Sequence, residues 1–245
     1  MNLTVVAVAF VAALLILALV GVALLNRSPN DQDSSNGSLG LSSLAVSAKP
    51  PQPAPISHRE LSALLPAQFV VLDLETTGLN PLTDEIIEIG AVKATLNAEN
   101  HSTFQLLVKP SRCIPRKISQ ITGITQEMVD RDGVHLHEAL TEFVNFIGDL
   151  PLVTFNAEFD MGFLCSAANR EKIVIRNCYA CALKRARRAW PGLQSYRLAD
   201  LARMGNLSTV DAHRALGDSI RALIVFTAAT SKLGQKVRWI RPTVN

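Results

Sequence analysis

The sequence predicts an α/β protein built on a mixed β-sheet, and two patterns carry that prediction. Apolar runs of strand length recur early in the globular region, beginning with "FVVLDLE". Apolar residues also recur at the three- and four-residue spacing of helices, as in "HEALTEFVNFIG". Strands that interleave with helices indicate an α/β architecture. We therefore predict a central five-stranded mixed β-sheet flanked by helices.

The predicted strands follow from apolar composition and polar connections. Residues 69–75, 85–96 and 103–108 form a three-stranded meander, in which the polar run "NAENHS" bridges the last two strands. Residues 152–155 and 173–175 are two further short apolar runs. These five segments are the strands that we expect in the sheet.

Helices are predicted between and after the last strands. The apolar residues of "HEALTEFVNFIG" share one face of a helix over residues 137–148. Gly234 supplies a stop for the final helix. The other helices are expected from residue 157 or 158 to about 169, and over residues 180–188, 195–204 and 211–233.

A long apolar stretch near the start of the chain predicts a membrane anchor. Residues 3–25 contain no charged side chain, and only Thr4 and Gly21 interrupt the apolar run. As a helix this stretch is about 35 Å long, which exceeds the roughly 30 Å hydrocarbon core of a bilayer. A cleavable signal peptide is the alternative, but the run is longer than its usual core of about 7 to 15 residues. Arg27 favours a single-pass anchor with the globular part in the cytoplasm.

The next segment has the composition of a flexible linker. Of the 32 residues over 26–57, 20 are Ser, Pro, Gly, Asn or Asp. Such a segment buries too little apolar surface to order itself, and its random-coil reach is about 30 Å. We therefore divide the chain into an anchor over 1–25, a linker over 26–57 and one globular domain over 58–245.

The cysteines indicate free thiols. Cys113, Cys165, Cys178 and Cys181 form no recognisable disulfide framework. Cys178 and Cys181 have the spacing of metal ligands, but a structural zinc site needs four ligands and no second pair completes the set. If this segment is helical, the two cysteines share one face and are more simply small core residues. Free thiols fit a reducing compartment.

The charge distribution leaves two interpretations open. The net charge of +3 creates no strong field that would attract nucleic acid. A basic cluster could neutralise phosphates, although a run of charges on a helix usually faces water. The cluster comprises Lys184, Arg185, Arg187 and Arg188, and further basic residues follow at Arg197, Arg203, Lys236, Arg238 and Arg241.

Acidic residues at the end of the first strand raise the question of function. Asp73 and Glu75 are two residues apart, so both carboxylates emerge on the same face of the strand. Two negative charges at so short a distance repel each other, so we expect a cation to bind between them. Asp160 and Asp218 lie near predicted helix starts, where the helix dipole alone is an ordinary explanation for an acidic residue.

The combination of motifs resembles a known family. "DLETTG", "NAEFD" and "HRALGD", in that order, are similar to the three motifs of the DnaQ-like (DEDDh) 3′-to-5′ exonucleases. This family includes the proofreading epsilon subunit of bacterial DNA polymerase III. The stretches "EIIEIGAVK", "ITGITQEMV" and "SYRLADLA" agree with it as well, so the resemblance covers about residues 68–233. It implies a ribonuclease H-like fold, and the predicted anchor would place the domain at a bacterial inner membrane.

The resemblance also implies the roles of five residues. Two divalent ions, Mg²⁺ or Mn²⁺, would be held by four carboxylates, and His213 would be the general base. Hard cations suit carboxylate oxygens, and a pair of them can stabilise both ends of an in-line displacement at phosphorus. The products would be nucleoside 5′-monophosphates. The four carboxylates are those of Asp73, Glu75, Asp160 and Asp218.

Substrate contacts are implied in the same way, and the substrate would be the 3′ end of single-stranded DNA or RNA. Many family members carry His before the Asn of the second motif, whereas this chain has Phe155. Glu88 either braces the Thr-Thr-Gly loop or is a strand residue facing solvent. A nucleic-acid-binding or scaffold domain with little turnover is the alternative function. The implied substrate contacts are Thr76, Thr77, Gly78, Leu79, Asn156 and Phe159.

Overall fold

The computed structural model describes residues 58–98, 100–208 and 213–242. Within these ranges five strands form one mixed sheet in the order β3-β2-β1-β4-β5, which confirms the predicted sheet. The strands are β1 (Gln68–Thr76), β2 (Ile86–Thr95), β3 (Ser102–Leu107), β4 (Leu152–Thr154) and β5 (Tyr179–Cys181).

Helices cover both faces of this sheet. The predicted anchor and linker, residues 1–57, lie outside the described residues. Among the helices that the structure describes, none is both long enough and apolar enough to cross a membrane. The helices are α1 (His58–Leu64), α2 (Arg116–Thr122), α3 (Gln126–Asp132), α4 (Leu136–Ile147), α5 (Ala157–Glu171), α6 (Ala182–Ala189), α7 (Leu198–Met204) and α8 (Ala215–Leu233).

Strand β1 lies at the centre of the sheet and sets its geometry. It pairs antiparallel with β2, where Asp73 lies opposite Gly90. On its other side it pairs parallel with β4, where Leu72 lies opposite Thr154. Strand β5 continues the parallel half of the sheet. The carboxyl ends of β1, β4 and β5 therefore meet at one edge of the sheet, and the polar residues that follow them converge there.

Alternate residues of β1 pack into two separate layers. Val70 and Leu72 are buried on one side against α4 and α5, in a cluster that includes Phe143. Phe69 is buried on the other side against α8, with its ring 5.9 Å from that of Phe226. The period of two in the strand places these side chains on opposite faces. The sheet is therefore covered on both sides, which explains why β1 is almost continuously apolar.

The prediction for the fifth strand was wrong. Residues 173–175 form no strand, and β5 lies further along the chain, where Tyr179 pairs with Leu152. Tyr179 also exchanges two 2.8 Å backbone hydrogen bonds with Ile240 on its outer side. Long-range backbone pairing therefore selects this strand, although its local sequence is less apolar.

The same change corrects the helical interpretation of the cysteine pair. Helix α6 begins only at Ala182, so Cys178 and Cys181 do not share a helix face. Cys181 is instead the last residue of β5 and is buried. All four cysteines are free thiols, as the sequence indicated.

The remaining differences concern three short helices and the starts of two others. The short helices α1, α2 and α3 were not predicted, because seven residues carry too little periodicity to identify a helix. Helix α7 begins at Leu198 and not at residue 195. Helix α8 begins at Ala215 and not at residue 211, and His213 before it has a left-handed backbone with φ of 64°.

Candidate active site

Three carboxylates converge at the carboxyl end of β1. Oxygen atoms of Asp73, Glu75 and Asp218 all lie within 4.8 Å of one another. Asp73 and Glu75 are alternate residues of β1, and Asp218 lies in the first turn of α8. The fold therefore brings together acidic residues that are far apart in the sequence.

The electrostatics of this cluster are dominated by burial and by repulsion between its carboxylates. Burial raises the pKa of Asp73 well above its usual range, and the neighbouring Asp160 and Asp218 carboxylates raise it further. Burial likewise raises the pKa of Glu75 to about 8, with a further contribution from Asp218. Such a group of carboxylates is well suited to hard divalent cations, whose charge would favour the ionised forms.

Asp160 is the fourth acidic residue of this site. It lies in the first turn of α5 and is buried. Burial raises the pKa of its carboxyl to about 7, although hydrogen bonds to nearby groups oppose the shift. Because its charge raises the pKa of Asp73, the Asp160 carboxylate belongs to the same electrostatic cluster.

Asp218 differs from the other three because a cation already contacts it. The Arg221 guanidinium donates from Nη1 to Asp218 Oδ1 at 2.8 Å, and its side chain is 7% exposed. Arg221 Nε also donates to the backbone carbonyl of Ser208 at 2.9 Å. Arg221 therefore connects Asp218 to the backbone at Ser208. Arg221 was not predicted from the sequence, although its position three residues after Asp218 on a helix is a usable signal.

His213 lies at the entrance to α8. Its backbone N–H donates to Asp218 Oδ2 at 3.2 Å, and the residue is exposed. The backbone at this position is left-handed, immediately before Arg214 and Ala215. The imidazole is therefore attached beside the carboxylates and is accessible to solvent.

The loop after β1 is held in a tight conformation by its own polar groups. Thr76 Oγ1 donates to the Gly78 carbonyl at 2.6 Å, and Thr77 Oγ1 accepts from the Glu85 N–H at 2.9 Å. A Cβ atom on Gly78 would lie 2.4 Å from Asp84 Oδ2, so a larger residue here would displace the carboxylate that accepts from the Asn80 N–H. Three of the predicted substrate contacts thus have a structural role in the loop.

This loop presents two leucines to solvent. Leu79 is 82% exposed and Leu82 is 80% exposed. The loop is attached to α5 by the Ser166 hydroxyl, which donates to the Pro81 carbonyl at 2.7 Å. The exposure of these leucines is therefore a property of a well-anchored loop.

The remaining predicted contacts lie at the start of α5. Asn156 is the exposed N-cap residue of this helix and makes no side-chain capping hydrogen bond. Phe159 is half-buried, and its ring lies 4.9 Å from that of Phe163. Phe159 therefore packs against the core, and part of its surface remains available beside the site.

Glu88 has neither of the two roles that the sequence suggested. Its carboxylate is 0% exposed and does not brace the Thr-Thr-Gly loop. It accepts hydrogen bonds from Arg214 Nη2 at 2.6 Å, from the Ala215 N–H at 2.9 Å and from Gln105 Nε2 at 2.8 Å. Glu88 therefore attaches the first turn of α8, which carries Asp218, to the central sheet.

Comparison with known proteins identifies the family. Residues 70–226 match the RNase_T exonuclease family, and this range contains all four carboxylates and His213. The chain belongs to this exonuclease family. The match confirms the resemblance to the DnaQ-like exonucleases.

Several curated relatives agree with this assignment. The epsilon subunit of DNA polymerase III from Aquifex aeolicus is 34% identical over 181 residues, which are 74% of this chain and 89% of that subunit. The PolC-type DNA polymerase III of Caldanaerobacter subterraneus is 36% identical over 73% of this chain but only 13% of its own length. A putative bifunctional exonuclease/endonuclease protein of Mycobacterium tuberculosis is 38% identical over 75% of this chain and 31% of its own. The chain thus spans only a small part of the PolC-type polymerases.

Solved structures share the ribonuclease H-like exonuclease fold. Escherichia coli exonuclease I in complex with a dA16 oligonucleotide matches with a TM-score of 0.55 at 20% identity, over 63% of this chain and 39% of exonuclease I. The zinc-bound complex of the same enzyme with single-stranded DNA has a TM-score of 0.56 at 21% identity, over 68% and 40%. These likenesses support the fold.

Proposed function

We propose that this protein is a 3′-to-5′ exonuclease that hydrolyses terminal phosphodiester bonds and releases nucleoside 5′-monophosphates. The observation that carries the proposal is the convergence of the Asp73, Glu75 and Asp218 oxygens within 4.8 Å in a chain of the exonuclease family. A surface with no catalytic role would gain nothing from half-buried carboxylates whose charges oppose one another.

The proposal includes two divalent metal ions, Mg²⁺ or Mn²⁺. Asp73, Glu75, Asp160 and Asp218 would hold them, and the raised pKa values of the first three support this role. When bound, the two ions supply positive charge that stabilises the attacking, phosphoryl and leaving oxygens of an in-line displacement.

His213 would act as the general base. Its exposed position beside Asp218 leaves the imidazole free to accept a proton from the attacking water. The backbone hydrogen bond from His213 to Asp218 keeps the base next to the carboxylates without using either ring nitrogen. Arg221 would orient Asp218 from the opposite side.

We propose the 3′ ends of single-stranded DNA or RNA as substrates. Exonuclease I, which shares the fold, has been solved with single-stranded DNA. The exposed Leu79 would pack on the face of a terminal base, and apolar packing of this kind is tolerant of sequence. The further contacts in the proposal are Thr76, Thr77, Gly78, Asn156 and Phe159.

A polarity experiment tests this activity. The full-length chain is incubated with Mg²⁺ and a 5′-labelled 20-nucleotide single strand, as DNA and as RNA. The proposal predicts a ladder of products that shorten one nucleotide at a time, and no products from a strand whose 3′ end is blocked. Cleavage of the blocked strand would contradict it. Binding without any turnover would favour the alternative, a nucleic-acid-binding or scaffold domain.

We also propose that residues 1–25 anchor the enzyme in a membrane, with the domain over 58–245 in the cytoplasm. The proposal rests on the uncharged apolar composition of residues 3–25. Membrane fractionation with an alkaline wash tests the anchor, and protease digestion of intact and opened cells tests its orientation. Digestion of the domain from outside intact cells would contradict the cytoplasmic orientation.

A further inference from the structure

A group of exposed basic side chains lies on α6 and on the segment after α8. We call Arg188, Lys236 and Arg238 the basic strip; all three residues are exposed. Arg188 Nη2 donates to Gln235 Oε1 at 2.8 Å, which places the end of α6 beside the residue that precedes Lys236. This hydrogen bond joins the two parts of the chain that carry the strip.

The segment that carries Lys236 and Arg238 has a defined orientation. Val237 and Trp239 pack against the core, with the Trp239 ring 6.5 Å from that of Phe226. The segment also exchanges two backbone hydrogen bonds with Tyr179 through Ile240. Because alternate residues of an extended segment point to opposite sides, Lys236 and Arg238 both face outward.

Buried Arg185 fixes α6 relative to this segment. The sequence allowed Arg185 to be an exposed charge on α6, but the residue is buried. Its Nε donates to Thr230 Oγ1 at 2.6 Å, and its guanidinium also contacts the Gln235 carbonyl. This arrangement holds the helix, the end of α8 and the outward-facing basic residues in one rigid unit. The charges of the basic strip are thus positioned before any ligand binds.

Helix α6 connects the strip to the carboxylate cluster. Its Leu183 N–H donates to the Phe155 carbonyl at 2.9 Å, immediately before α5 and Asp160. Lys184 Nζ, also on α6, forms an ion pair with Glu158 Oε1 at 2.7 Å. Helix α6 is about 12 Å long, and it begins beside the site. Arg188 therefore lies within the length of a few nucleotides from that end of the helix.

We propose that the basic strip binds the sugar-phosphate backbone of a single-stranded nucleic acid, upstream of the 3′ end that occupies the carboxylate cluster. This inference rests on the proposed exonuclease activity and adds a second region of substrate contact. Three outward cations on a rigid surface complement the regular negative charges of a strand. A strand long enough to reach the strip gains contacts that a trinucleotide cannot make.

The test compares two matched variants of the full-length chain. The first carries Arg188→Gln, Lys236→Gln and Arg238→Gln. The control carries Arg131→Gln, Arg170→Gln and Lys172→Gln, which removes the same charge from exposed residues elsewhere. A second strip variant, Lys236→Gln with Arg238→Gln, retains the Arg188–Gln235 contact and guards against a loss of folding. kcat/KM is measured on a 20-nucleotide strand and on a trinucleotide, over a series of salt concentrations.

The proposal predicts that strip variants lose about tenfold in kcat/KM on the 20-nucleotide strand at low salt and remain within about twofold on the trinucleotide. The salt dependence on the long strand should become less steep by about 2 in the logarithmic slope for three lost phosphate contacts. Equal losses on both substrates, or losses that the control variant reproduces, would overturn the proposal.

A binding measurement separates this proposal from the proposed function. Equilibrium binding of the labelled 20-nucleotide strand is measured in an Asp73→Asn background with and without the strip substitutions. Weaker binding in the strip variants supports the proposal even if no variant turns over any strand. Unchanged strand binding, together with a strip-dependent affinity for vesicles of anionic phosphatidylglycerol, would overturn it in favour of a membrane contact.

Discussion

The carboxylate of Glu88 and the guanidinium of Arg214 form an ion pair at 2.6 Å between the central sheet and the entrance of α8. Glu88 is fully buried, whereas the Arg214 side chain is 32% exposed. The same carboxylate accepts the Ala215 N–H, so it also satisfies a donor at the start of the helix. Asp218 and His213 are thereby placed beside Asp73 and Glu75 through a contact that is not itself catalytic.

We expect Glu88→Ala to lower the free energy of unfolding by about 2 to 4 kcal/mol, because it breaks a buried ion pair and leaves a helix N–H without its acceptor. Urea denaturation measures this loss. Glu142→Ala, at an exposed position of α4, is the matched control and should change stability by less than about 0.5 kcal/mol. Equal stabilities of the two variants would contradict the structural role of Glu88.

Arg221 should contribute to activity, although we propose that it contacts the metal ligand Asp218 and not a metal ion. We expect Arg221→Met to lower kcat/KM by about 10- to 100-fold, because Asp218 loses the partner that orients it. Arg203→Met is the control, since Arg203 forms an ion pair with Asp200 at the same spacing on an exposed surface. A similar loss of kcat/KM in Arg203→Met would contradict a specific role of Arg221 in orienting Asp218.

The carboxylate cluster predicts an unusual dependence of stability on pH. The raised pKa of Glu75 means that the folded protein binds more protons than the unfolded chain, so stability without metal falls as pH rises between 4.5 and about 8. A pKa raised from 4.5 to about 8 corresponds to a contribution of Glu75 on the order of 5 kcal/mol. Thermal unfolding in a chelator at pH 5 and pH 8 measures this loss.

Two comparisons identify the source of that pH dependence. Glu75→Gln should be less sensitive to pH in the chelator, because the amide does not titrate. Saturating Mg²⁺ should stabilise the wild-type protein more at pH 8 than at pH 5, since the carboxylates must be ionised to bind it. A metal effect that is the same at both pH values would contradict the assigned ligands.

His213 should affect turnover without affecting metal binding. We expect His213→Ala to lower turnover by about 10² to 10⁴, because the attacking water loses its proton acceptor. Higher pH should restore part of the activity, since hydroxide then replaces the missing base. Single-turnover kinetics measure the effect, and His137→Ala, on α4, is the control. Wild-type turnover in His213→Ala at neutral pH would exclude this residue as the base.

The sequence predicted the parts of the site that depend on local patterns. The positions of Asp73 and Glu75 follow from alternation in a strand with a clear apolar pattern, and the structure shows that strand almost as predicted. The separate motifs also indicated that Asp160 and Asp218 belong with them. These inferences needed only short stretches of chain and a known order of motifs.

Long-range contacts could not be predicted in the same way. Glu88 and Arg214 are 126 residues apart, so no local pattern indicates their ion pair. The fifth strand is three residues long and is selected by pairing with Leu152 and Ile240, which lie far away in the sequence. Arg185 looks like a surface charge beside Lys184 and Arg187, and only packing against α8 shows that it is buried.

The metal dependence of hydrolysis tests the central claim most directly. Release of mononucleotides from a single-stranded oligonucleotide is measured for the wild-type chain in Mg²⁺ and in a chelator, and for Asp73→Asn and Asp218→Asn in Mg²⁺. We predict release of mononucleotides only for the wild-type chain in Mg²⁺, with both variants reduced by at least about 10³-fold. Undiminished release of nucleotides in the chelator, or by either variant, would contradict a metal-dependent exonuclease site at these carboxylates.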